Sequence, residues 1–286
     1  TLFQMLAMIE PFDVKALGQD SAAKYHLFHE VMRRAFCDRI EYIGDPGFVK
    51  VPVAQLLDRA YLASRMADFD PKRATPNAAI KPGLANPPHE SKETTHYSVV
   101  DAAGNAVATT YTLRSGFGSG VTIPDTGLIM NNVMDDMASK VGAPNSLGLM
   151  QGPANAIEPG KRPLSSMTPA LVFKEGQLLL VTGSPGGPTI INTVFQVVTN
   201  VIDFQMPVTQ AVEASRIHHQ WLPDTLDHER YGMARDTVEA LRAMGHTLVN
   251  TERYQGDAHS ILIDPKTKLR LGAADLRQPD SKAVGY

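Results

Sequence analysis

Cysteine is almost absent. Cys37 is the only one in 286 residues, so no disulfide can close within the chain and no zinc site can be built from several thiolates. That single thiol does not identify the redox compartment. No run of about 18 apolar residues occurs, which excludes a membrane-spanning helix. A basic excess is lacking too: 27 Lys and Arg face 30 Asp and Glu, a formal charge of −3, without the electrostatic footprint of a nucleic-acid-binding domain. The opening TLFQMLAMIE has no initiator methionine, basic n-region or small-residue cleavage site, so either upstream processing or a longer polypeptide is expected. What is present is ordinary for a globular chain. Hydrophobic residues make up 43% and charged residues 20%, and the length allows one large domain or two modest ones with a real core.

Residues 1–66 read as helical. Tyr25, Phe28, Val31, Met32 and Phe36 recur at three- and four-residue intervals and make one apolar stripe, with Ser21 as N-cap. VPVAQLLDRAYLASRMADF predicts a further amphipathic helix. Residues 68–93 are rich in Asp, Lys and Pro without periodicity and read as an exposed linker, where a chain is readily cut. Beyond 93 the period drops to two. A hairpin is expected over 95–113, a short strand at GLIMNN, and a second hairpin turning at Glu175-Gly176. Helices follow at about 188–203, 208–216 and 235–245, then strands at TLVN, HSILID and LRLGAAD. Hairpins bracketing a helical block predict an α+β layered fold with antiparallel sheet.

Several constellations invite chemistry. HLFHE, with His26, His29 and Glu30, matches neither H-E-x-x-H nor H-x-x-E-H and reads as a solvated helix face. The adjacent His218 and His219 point to opposite sides of an extended chain and chelate poorly without partners elsewhere. Asp135 and Asp136 follow the GLIMNN segment, where acids bind a cation, work in acid–base catalysis or cap the next element. VTGSPGGPTIINT is the most informative stretch. A strand ends, Gly183 to Gly187 turn, and a helix begins near Pro188. Backbone N–H groups at such a junction stabilise an anion, either a phosphate or the oxyanion of an acyl intermediate. The lysine of a P-loop is missing. Ser165 and Ser166 precede a strand, and their hydroxyls suit a carboxylate as well as a turn. Thr94 and Thr95 start the first alternating strand. Cleavage before Thr94 would leave its hydroxyl beside a free α-amine able to act as its base.

TTHYSVVD, GLIMNNVMDDM, KRPLSSMTPALV, VTGSPGGPTIINT and RIHHQWLPD, in this order and spacing, resemble the bacterial γ-glutamyltransferase family, also called γ-glutamyl transpeptidases or glutathione hydrolases. The resemblance implies a four-layer αββα sandwich of the N-terminal-nucleophile hydrolase type, incomplete in this chain. It implies a zymogen that cuts itself between Glu93 and Thr94, with 1–93 the end of the large subunit and 94–286 the catalytic small subunit. Thr94 would be the nucleophile, Thr112 its hydrogen-bonding partner, and Gly186 and Gly187 the oxyanion hole. Ser165 and Ser166 would hold the substrate α-carboxylate and Asp136 its ammonium. Implied partners are glutathione or other γ-glutamyl compounds, with water, an amino acid or a dipeptide as acceptor. The missing large-subunit portion, with its carboxylate-binding arginine, is a further partner. No metal or organic cofactor is implied, and the location would be periplasmic or secreted. Arg114, Val133 and Leu147 depart from the family's asparagine, Gln or Glu, and lid tyrosine. Arg114 is therefore expected either to engage the α-carboxylate or to mark an acyl specificity shifted toward glutaryl- or cephalosporin-type donors. An inactive truncated homologue is the remaining alternative.

Overall fold

The computed structural model describes residues 1–84, 95–141, 143, 152–251 and 254–285. The expected linker residues 85–93, the Glu93–Thr94 bond, Thr94 itself and Leu147 lie outside the described residues.

The N-terminal third is helical, as its periodicity predicts: α1 (Leu2–Ile9), α2 (Val14–Leu17), α3 (Ala22–Tyr42), α4 (Val53–Leu56) and α5 (Arg59–Arg65). Ser21 caps α3, its hydroxyl accepting the Lys24 N–H at 3.0 Å. The expected single helix after residue 51 is two. Asp58 accepts the Tyr61 N–H at 2.9 Å and so starts α5 afresh.

α3 is not a surface helix. Its apolar stripe is buried as expected, but His26, His29 and Glu30 are buried as well, which corrects the solvated-face reading. The physical reason is partner supply. Arg33 bonds Glu30 at 3.0 Å, and Arg34 forms an ion pair with the same carboxylate. Arg33 continues to the Thr75 carbonyl (2.8 Å) and Asp224 (2.9 Å), and Arg34 to Asp68 (2.7 Å). Buried charges persist only when paired in this way. The network also docks residues 68–80 onto α3, so the described part of the expected linker is packed chain, with Thr75 and Ile80 buried.

Beyond residue 94 both hairpins form. β1 (Thr95–Val100) pairs with β2 (Ala106–Tyr111) from Thr95 opposite Tyr111. β3 (Ala170–Lys174) and β4 (Gln177–Thr182) turn at Glu175-Gly176, both at positive φ. GLIMNN is not a strand: Thr122 and Ile129 make one isolated bridge, and Leu128 and Met130 stay exposed. α6 (Thr189–Ile202), α7 (Val208–Glu213), β5 (Ile217–His218), β6 (Leu226–Glu229), α8 (Arg235–Ala243), β7 (Leu248–Thr251), β8 (His259–Ile263) and β9 (Arg270–Ala274) follow. One sheet runs β3-β4-β8-β9 and another β5-β6-β7, in which β6 and β7 are parallel rather than antiparallel.

α6 joins two cores. Ile191 and Phe195 pack with α1 and α3, while Val194, Val197 and Val201 pack with α7 and the four-stranded sheet. The apolar residues form one broad face that serves both cores, and Asn192, Gln196 and Asn200 on the other side are buried with hydrogen-bond partners. Among the described residues no helix is long and apolar enough to cross a membrane.

Candidate active site

β4 delivers the glycine loop, and α6 receives it. Gly186 (φ +129°) and Gly187 (φ +65°) both need the freedom of glycine. A Cβ on Gly186 would lie 2.5 Å from Thr189 Oγ1 and 3.0 Å from Gly256 Cα. The Thr189 hydroxyl donates to the Gly186 carbonyl at 2.7 Å, which fixes the loop on the first turn of α6. Thr95 and Gly186 line the same cavity of about 1280 Å³, together with His96, Gln255 and His259. The start of β1 and the glycine loop thus share one solvent space.

The other predicted residues form a second group. Thr112 follows β2, and its hydroxyl accepts the Arg114 N–H at 2.7 Å. Arg114 holds φ +76°, an uncommon conformation for a side-chain-bearing residue. Its guanidinium is buried against two acids, with Nε donating to Asp136 Oδ1 at 2.8 Å and a further ion pair to Asp135. Both acids lie in a 3₁₀ turn, Val133–Asp136, where Val133 is half-buried. Burial pushes the Asp136 carboxyl up to about 7 against the pull of Arg114. Asn155 ties this turn to the serines: its Nδ2 donates to the Asp136 carbonyl (2.6 Å), and its Oδ1 accepts the Leu164 N–H (3.1 Å). Ser165 is exposed and Ser166 buried.

Sequence reasoning missed Arg39. From the far end of α3 this buried arginine donates to the Ser165 carbonyl at 2.7 Å. Its charge and that of Asp136 act on each other, while burial lowers its pKa to about 9. With Lys24, Arg33 and Arg34 in the same helix, nothing in the sequence singled Arg39 out. The structure therefore brings Arg114, Asp136 and Ser165 together through Arg39 and Asn155, and sets Gly186 and Thr95 on the lining of one cavity. Residues 94 and 147 lie outside the described residues.

His218 and His219 do face apart, as expected. His218 meets Asn192 and Gln220, whereas His219 meets Asp224. One donor atom each of His29, His219 and Asp224 falls within a 4.8 Å group. The hydrogen bonding argues against a cation there. His219 Nδ1 accepts the Trp221 N–H (2.9 Å), so the proton sits on Nε2, 3.3 Å from Asp224 Oδ1. Arg33 occupies that same oxygen.

The gamma-glutamyltranspeptidase family model matches residues 1–285. The chain belongs to this family. It is 47% identical over 285 residues to the glutathione hydrolase proenzyme of Escherichia coli (strain K12), covering all of this chain and 48% of that protein. It is 37% identical to the acylase ACY 1 proenzyme of Pseudomonas sp. (strain SE83), over 95% of this chain and 45% of that one. Among solved structures, a mutant gamma-glutamyltranspeptidase of Helicobacter pylori matches with a TM-score of 0.62 at 49% identity, covering 64% of this chain and 100% of that one. The cephalosporin acylase of Bacillus halodurans matches with a TM-score of 0.79 at 26% identity, covering 99% of this chain and 49% of that one. The chain spans about half the length of the curated relatives it matches. Its mixed helix-and-sheet fold is that of the family's N-terminal-nucleophile hydrolases.

Proposed function

We propose that residues 94–286 are the catalytic piece of a γ-glutamyl acyltransferase and hydrolase, freed by self-cleavage between Glu93 and Thr94, with 1–93 closing the larger piece. The observation that carries this is the cavity shared by Thr95 and Gly186. Thr112 directly follows Tyr111, which pairs with Thr95 across the β1–β2 ladder, and this supports its reading as the partner of the nucleophile. The division at 94 is supported by a solved transpeptidase chain from Pseudomonas nitroreducens, 98% of which is covered by 68% of this chain. A four-layer αββα sandwich, incomplete in this chain, glutathione as donor, and a periplasmic or secreted location belong to the same proposal.

In this reading the Thr94 hydroxyl attacks the γ-carbonyl while its own α-amine takes the proton. The Gly186 and Gly187 amides stabilise the tetrahedral oxyanion. Collapse expels the amine, which leaves with that proton, and water or an amino acid or dipeptide amine resolves the ester. The serines hold the donor's carboxylate and Asp136 its ammonium.

One observation favours a second reading. Asp136, the proposed ammonium partner, is already bonded by Arg114 at 2.8 Å, and a guanidinium beside an incoming ammonium repels it. Donors that lack the ammonium, of glutaryl type, escape this cost. Relatives named acylase agree with it. Steady-state comparison of γ-glutamyl- and glutaryl-anilide decides between them. Ordinary γ-glutamyl transfer predicts the higher kcat/KM for the glutamyl anilide. The reverse order, restored to glutamyl preference by Arg114→Asn, establishes the shifted pocket. No turnover of either leaves only an inactive homologue.

A further inference from the structure

Among the described residues, His259 ties β1 to the glycine loop beside the shared cavity. His259, the first residue of β8, gives its backbone N–H to the Gly183 carbonyl at 3.1 Å, at the root of the glycine loop. Its ring Nδ1 lies 2.7 Å from the His96 carbonyl on β1, and its own carbonyl accepts the Ser98 hydroxyl at 3.0 Å. A carbonyl only accepts, so Nδ1 carries a proton. Nε2 faces Asp257 Oδ1 (3.2 Å) and Ser281 Oγ (3.1 Å). Asp257 in turn gives its N–H to the Ser184 hydroxyl at 2.9 Å, also in the loop. On the far side the His96 ring presses against Gly183, where a Cβ would collide with it.

We propose that His259 is a positioning residue for acyl transfer, locking β1, the strand that follows the cleavage position, to the loop that carries Gly186 and Gly187. The inference rests on the reading of Thr94 as nucleophile. An attacking hydroxyl on one element and oxyanion donors on another must be held to a fraction of an ångström. The backbone bonds of residues 257 and 259 hold the loop, and the imidazole holds the strand. The link is strongest with the ring protonated, because Nε2–H then donates to Asp257; the hydrogen bond to Asp257 raises the His259 pKa. A neutral ring has no Nε2 proton for that carboxylate and only accepts, from the Ser281 hydroxyl. His96 and Ser98 on β1, Asp257 before β8, Asp275 after β9 and Ser281 in the C-terminal segment are the groups that face the ring or act on its charge. Asp280 and Lys282 line the same cavity.

The test uses the whole protein that carries this chain. Acylation by a chromogenic γ-glutamyl anilide, and cleavage before residue 94, are followed from pH 5 to 10 in the parent and in Thr94→Ala, His259→Ala, His259→Asn, His259→Gln and Asp257→Asn, with melting recorded for each. His259→Ala should lower kcat about tenfold or more with KM little changed. His259→Asn, whose amide N–H sits where Nδ1–H does, should recover most of that loss, and His259→Gln should recover less. Asp257→Asn should flatten the alkaline fall in kcat, a readout that a purely structural role leaves unmoved. An inactive Thr94→Ala beside a His259→Ala that stays within twofold of the parent at every pH overturns this inference alone. So do Ala and Asn variants equally impaired. Turnover that survives in Thr94→Ala overturns the nucleophile reading, and this inference with it. Should His259→Ala not fold, the Asn and Gln variants and the Asp257→Asn pH profile decide alone.

Discussion

Two groups of histidines lie at two seams of the molecule, and they are tuned differently. At the first, His26 and His29 of α3 meet His219 and His246 from the far part of the chain, ring against ring at 4.3–4.9 Å. Burial lowers the pKa of His29 and His219, and burial with His26 nearby takes His246 down to about 4. At the second, His96 is likewise lowered to about 4 by burial, but the His259 beside it is raised by its bond to Asp257. The difference is whether burial or a neighbouring carboxylate dominates: at His259 the bond to Asp257 outweighs burial. Asp224 also pulls His219 upward, but there burial outweighs it, with the Arg33 charge adding to the fall. Burial alone makes a histidine a neutral packing residue, whereas an available acid keeps it chargeable. The first seam joins residues before position 94 to residues after it and serves the fold. The second joins β1 to the glycine loop and serves the site.

The larger effect tests the first seam. His246 has a folded pKa below its unfolded value, so the unfolded chain binds the extra proton between about pH 6.5 and 4, and stability is lost as pH falls through that window. A shift of this size corresponds to about 3 kcal/mol. Chemical denaturation at pH 7 and pH 4.5 should show His246→Gln losing markedly less stability on acidification than the parent. An equal loss in both proteins would place the acid sensitivity elsewhere and dissolve the contrast.

A smaller effect of opposite sign tests the second seam. His259 is raised, so its contribution is complete below the unfolded value near 6.5 and lost as pH rises through the folded pKa. With Asp257 and His259 partly exposed the contribution is about 1 kcal/mol or less. Asp257→Asn should remove the alkaline decline in melting temperature and leave the acid limb unchanged. An acid limb altered by that substitution would show the two seams to be coupled.

Local features of the fold were legible where local physics decides them. The period-two runs of both hairpins, the Glu175-Gly176 turn and the Ser21 cap depend on neighbours in sequence. The burial of His29, Glu30, Arg33 and Arg34 was not legible, because the partners Thr75, Asp68 and Asp224 arrive from 34 or more residues away. The parallel β6–β7 pair was missed for the same reason: each strand has four residues and gains its ladder only after α8 crosses over. GLIMNN has the composition of a strand but meets only the irregular chain around Thr122. At the site, the glycine loop announced itself through Pro188 and its glycines. Arg39 did not, since its role depends on Ser165 lying 126 residues on.

The most direct test of the central claim is N-terminal sequencing of the purified protein and of its Thr94→Ala variant, with turnover of a γ-glutamyl anilide measured on both. The account predicts a fragment that begins at Thr94 in the active parent, and an uncut, inactive variant. An uncut parent that turns over substrate, or a variant that is still cleaved and active, would contradict it.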